Sequence, residues 1–175
     1  MLNPGWGPHD YFSEYKNPEY RKALIENIQQ KGTNPFLFLD PRFSWHGGYT
    51  YWHAKLHQLI ATFAHETCIH YSLAREFFQK EIAVVELVPY RSVSSSVSSA
   101  VVKKLQSGIL AREFIIKRAL TTDCLVVATR AVKNWDLPNQ DNVICFDSKQ
   151  ARSAHLTAKS REIVTFLKRR FVSAR

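Results

Sequence analysis

Apolar side chains recur every three to four residues in several stretches of this chain, and each stretch predicts a helix. One opens at Asn17-Pro18-Glu19, where Asn17 can cap and Pro18 suits the first helical position. It carries Leu24, Ile25 and Ile28 on one face and stops at Gly32. Another begins near Thr50 and sets Trp52, Leu56, Leu59, Ile60 and Phe63 at helical spacing. Shorter patterns cover Ala74 to Lys80 and Gly108 to Leu120, and the chain ends in an amphipathic helix from about Ala158 to Phe171. Between them lie brief unbroken apolar runs that read as buried strands: Ile82 to Val88 (IAVVELV, closed by Pro89), Cys124 to Thr129 and Val143 to Phe146. Pro35 to Asp40 (PFLFLD) reads as a strand or a buried loop, and Asp40 to Tyr51 and Ser92 to Ser99 have loop composition.

Strands alternating with helices predict an α/β fold. The expectation is a three-layer α/β/α domain spanning 1–175, with a mostly parallel sheet of about four strands. Its first strand is missing or truncated, because only Met1 and Leu2 precede the Asn3-Pro4-Gly5 turn.

Composition adds a partner. The chain has 175 residues with 24 Lys+Arg against 15 Asp+Glu, a net charge of +9. Residues 149–175 hold eight basic residues and one acid, Glu162, so most of the excess sits there. Such a balance suits a polyanion, while a solvated helix face and tail account for it equally well. Aromatics are plentiful, with 4 Trp, 7 Tyr and 11 Phe; most belong in a core and a minority can stack on bases. Cys68, Cys124 and Cys145 form no CxxC pair, and Cys124 and Cys145 lie in or beside apolar runs that suit core thiols. No signal peptide or bilayer-length apolar run is visible, which predicts a cytoplasmic protein with no membrane partner.

In parallel sheets, ligands bind where strands end. Polar segments follow the predicted strands at Pro89 to Ser92, Thr129 to Asn134 and Asp147 to His155, and Asn3-Pro4-Gly5-Trp6 has the same look. Together these segments resemble the uracil-DNA glycosylase superfamily, in the branches whose first motif is Asn-Pro-Gly. The resemblance follows the order of elements over essentially the whole chain. Asn-Pro-Gly is by itself also a common turn.

The resemblance implies a DNA N-glycosylase that extrudes a base and hydrolyses its glycosidic bond, in repair or anti-phage defence, as a monomer without metal or cofactor. Asn3 would then position the water, Gly5 and Trp6 would form the pocket wall, and Tyr11 or Phe12 would stack on the base. Glu86 would read the base. Arg91 and Ser92 would hold phosphates, and Lys149, Gln150, Arg152 and His155 would lie in the loop that enters the groove. Asp147-Ser148-Lys149 stands where the superfamily offers His-Pro-Ser or Asn-Pro, and Glu86 stands where uracil readers use Asn. A carboxylate accepts from an exocyclic amine and repels a bare carbonyl, so modified cytosine or a purine is favoured over uracil. Glu86 has a structural reading of equal weight, as an ion-pair or capping residue. The alternative function is a nucleic-acid-binding module without catalysis on the same fold, and a third reading is an RNA-associated accessory protein.

Other constellations carry less. His53 and His57 stand four apart, a spacing that suits one metal ion, but no third ligand is evident and an exposed helix face explains them. His46-Gly47-Gly48 has the look of an oxyanion loop without a GxSxG elbow.

Overall fold

The computed structural model describes residues 10–29, 31–32, 34–90, 97–121, 123–147, 149–150 and 156–173. The three-layer α/β/α expectation is overturned: 68% of these residues are helical and 4% are strand, in a single two-stranded parallel sheet. The chain divides into two compact units, one holding the described residues 10–83 and 156–173, the other 84–147 with 149 and 150.

The first unit is built on helices. They are α1 (Asp10–Lys16), α2 (Pro18–Ile28), α3 (Gly47–Thr67), α4 (Tyr71–Glu81) and α7 (Ser160–Ser173), with short 3-10 turns at Leu37–Leu39, Pro41–Phe43 and Leu156–Lys159. Asn17 caps α2 as its sequence suggests, its Oδ1 accepting from the Tyr20 N–H at 2.9 Å. Helix α3 is the spine. It buries Leu56, Leu59, Ile60 and Phe63, against which α4 sets Ala74 and Phe78 and α7 sets Ile163, Val164 and Leu167. Phe63 stacks on Phe77 at 5.1 Å, and Phe171 meets both rings edge-on. PFLFLD is a buried 3-10 turn, so of its two readings the loop is correct. Helix α2 departs from expectation. It buries Tyr20, while Ile25 and Ile28 face solvent.

The second unit carries α5 (Ser99–Lys104), α6 (Gln106–Thr121), β1 (Val126–Ala128), a 3-10 turn at Val132–Asn134 and β2 (Val143–Cys145). The strands pair in parallel with Val126 opposite Val143 and Ala128 opposite Cys145. Asn142 fixes the corner: its Nδ2 donates to the carbonyls of Ala119 and Cys124. Cys145 is exposed and Cys124 half-buried, so neither is the core thiol that its apolar neighbours suggest. Leu87, Val88, Val102, Ala111, Ala128 and Trp135 form the core. Gly108 allows the closest approach in it, since a Cβ there would lie 2.7 Å from the Val102 carbonyl oxygen and 3.2 Å from that of Leu87.

The run Ile82 to Val88 explains the fold-class error. It forms no helix and pairs with no strand among the described residues, it bends at Leu87 and Val88, and the division between the units falls within it. Its apolar residues serve packing, with Leu87 and Val88 in the core. A buried run needs only apolar neighbours; a strand also needs a hydrogen-bonding partner.

Candidate functional site: an aromatic and basic face, and a buried carboxyl

Helix α1 and the outer face of α2, whose inner face packs Tyr20, Ala23 and Leu24, make an unusual surface. Helix α1 has no buried residue, and Tyr11, Phe12 and Tyr15 are 67%, 60% and 67% exposed. Tyr11 and Tyr15, four apart, stack with centroids 6.4 Å apart and planes 20° from parallel. The Lys16 ammonium lies 4.0 Å from the Phe12 ring centre, and the Arg21 guanidinium 5.7 Å from that of Tyr15. Neither cation has a carboxylate partner among the described residues.

Two acids on these helices are engaged elsewhere. Glu14 accepts from His46 Nε2 at 2.7 Å, and Glu19 from Arg42 Nη1 at 2.8 Å. His46 is buried, and its Nδ1 accepts the Gly48 N–H at 2.9 Å, so its proton is on Nε2. Tyr20 Oη lies 3.2 Å from the same Nε2. His46-Gly47-Gly48 is therefore a capped helix start, where a Cβ at Gly48 would strike the Phe38 ring at 2.5 Å. Beside it, Asp40 accepts from Asn34 and from the backbone and side chain of Arg42. Burial opposes ionisation of Asp40, but the bonds and charge of Arg42 hold its carboxyl below the ordinary range.

Glu86 is the second candidate. It is partly buried in the second unit, and its Oε2 is sealed from solvent with no hydrogen-bond partner among the described residues. Burial pushes its carboxyl up to about 7, against the pull of the Arg130 charge. Near neutral pH it is therefore part carboxylate and part neutral acid, able to accept and also to donate.

The expected site residues separate accordingly. Tyr11 and Phe12 belong to the first unit, and Glu86, Lys149 and Gln150 to the second. Asn3, Gly5, Trp6, Arg91, Ser92, Arg152 and His155 lie outside the described residues. Lys149 and Gln150 open a helical turn: Asp147 Oδ1 accepts both of their N–H groups at 2.8 Å, and Gln150 Oε1 accepts the Asp147 N–H at 3.2 Å. That is a reciprocal cap, which already occupies the Gln150 amide oxygen. The C-terminal cations are also partly engaged. Lys168 pairs with Glu66 at 3.0 Å and Arg170 with Glu81.

His53 and His57 stack at 5.8 Å, and His53 Nε2 lies 3.4 Å from Tyr71 Oη. Burial, then the charges of His57 and Arg75, lower the His53 pKa. Among the described residues no three His, Cys, Asp or Glu side chains group as a metal site, and no helix is long and apolar enough to cross a membrane.

Tyr15, Lys16 and Arg21 are the functional candidates that sequence reading missed. Part of their signal was present, in the four-residue spacing of Tyr11 with Tyr15 and of Phe12 with Lys16 before Asn17. No protein-family model, curated protein or solved structure matches this chain.

Proposed function

We propose that this protein binds nucleic acid, and that unpaired bases stack on the face formed by α1 and α2. The observation that carries this is the exposed Tyr11–Tyr15 stack with Phe12, Lys16 and Arg21 around it. Single-strand binding sites combine aromatic platforms with cations that meet the phosphates, and every base offers a face to stack. Large exposed apolar groups are costly to leave in water, which favours a stacking role over a solvated helix. Binding of fluorescein-labelled oligothymidylate, followed by anisotropy, tests it. Tyr11→Ala with Tyr15→Ala should weaken single-strand binding by about 1–3 kcal/mol per stacked base. Equal affinity in this variant and the parent would sink the proposal.

A second reading is base excision, favoured by Glu86. Its unpartnered oxygen in a core is what a base-reading carboxyl looks like before its ligand arrives. The resemblance to the uracil-DNA glycosylase superfamily supplies the chemistry, with Asn3 directing water at the sugar carbon. The layered sheet on which that resemblance leans is replaced here by a largely helical chain, so stacking is the reading we place first. Abasic sites formed in DNA rich in modified cytosine, and lost in Glu86→Gln, are the result this second reading requires.

A further inference from the structure

We infer that the groove on α2 beside the aromatic platform is a nucleotide subsite, taking the sugar-phosphate and base next to those stacked on Tyr11 and Tyr15. The inference rests on the stacking reading above and extends it.

The groove has a volume of about 440 Å³ and is lined by Pro18, Arg21, Lys22, Ile25 and Glu26. It is shallow and open to solvent, because all five residues belong to the one helix and all but Glu26 are exposed. Arg21 belongs to both features, since it lines the groove and also lies over the Tyr15 ring. The groove and the platform are therefore adjacent, joined by Arg21.

The wall is chemically mixed in the way a nucleotide is mixed. Arg21 and Lys22 offer charge to a phosphate, while Pro18 and Ile25 offer an apolar surface to a sugar edge or base. Ile25 is exposed, and Ile28 one turn on is 73% exposed. Glu26 is the one acid in the lining, and Lys22 stands 3.9 Å from it in a solvent-exposed pair. Such a pair is weakly held, so Lys22 can turn to a phosphate at small cost. The acids that could oppose a polyanion, Glu14 and Glu19, face His46 and Arg42 instead.

The test uses the full chain and fluorescein-labelled oligothymidylates of two, four, six and eight nucleotides. Affinities are measured over a salt series for the parent, for Lys22→Gln with Ile25→Asn, and for Tyr11→Ala with Tyr15→Ala. All four substituted positions are at the surface or partly so, and circular dichroism confirms the fold of each variant. The groove variant should bind the shortest oligomer like the parent and lose affinity for the longer ones. Its salt slope should fall by about 0.7, the loss of one phosphate contact on a single strand. If the groove variant matches the parent at every length while the tyrosine variant binds weakly, the subsite is overturned and the stacking face survives. If the parent binds no oligomer, both fall together.

Discussion

The two units treat buried polar groups in opposite ways. In the helical unit, Asp40 and His46 are nearly sealed from water, and both are matched. Asp40 is held by Arg42 and Asn34, and His46 by Glu14, Tyr20 and Gly48. In the other unit Glu86 Oε2, Ser107 Oγ, Arg112 Nη1, Trp135 Nε1 and Asn142 Oδ1 are buried without partners. The helical unit shows only Arg75 Nε and Gln79 Nε2 in that condition among the described residues. A buried polar group left with no partner of any kind, water included, costs about 1–3 kcal/mol. Matched polar groups hold a fold, whereas unmatched ones mark where a ligand or ordered water completes it.

Three measurements bear on this contrast. The largest effect belongs to Asp40→Ala. It removes a helix-turn cap and charge-assisted bonds together, and should cost about 2–4 kcal/mol in urea unfolding. The Asp40 pKa is lowered from 3.8, so its contribution is present above that pH and is lost as pH falls through the lowered folded-state value. A loss under about 1 kcal/mol would break the view that these networks support the helical unit.

Glu86→Gln should move stability the other way. A carboxyl raised from 4.5 to about 7 binds more protons folded than unfolded between those values. Stability therefore falls as pH rises from 4.5 through 7, by up to about 3 kcal/mol. The amide removes that penalty, so the variant should be the more stable protein at pH 8, with the advantage gone near pH 4. Identical pH profiles for the two proteins would mean that Glu86 is not a strained group.

The smallest effects form a pair. Tyr20→Phe deletes a hydroxyl beside His46 and should cost about 1 kcal/mol. Ser107→Ala deletes an orphaned hydroxyl in α6 and should be neutral or slightly stabilising. Equal costs in thermal unfolding would erase the distinction between the units.

Much of the helical framework was legible because it is local. Asn17 and Pro18 announce α2, and the spacing of Leu56, Leu59, Ile60 and Phe63 announces α3 with its buried face. Helix α1 was missed because its face is aromatic and basic rather than apolar, so it makes no amphipathic stripe. Of the candidate site, Tyr11, Phe12 and Glu86 were singled out from sequence. The partners that give the tyrosines meaning were not, since Tyr15 and Arg21 become neighbours only once α1 and α2 are folded.

Sequence alone determined that the segments of α2, α3, α4, α6 and α7 can be helical, because a helix closes its hydrogen bonds within four residues. It also determined that Val126 to Ala128 and Val143 to Cys145 could be strands, and that the chain carries a net charge of +9. Tertiary structure alone decided that Ile82 to Val88 pairs with nothing described, that Ile25 and Ile28 face water, and that Glu86 keeps an unbonded oxygen. Each of those outcomes depends on what distant residues bring alongside, and a strand, a core face or a buried charge is defined by its neighbours rather than by its own side chains.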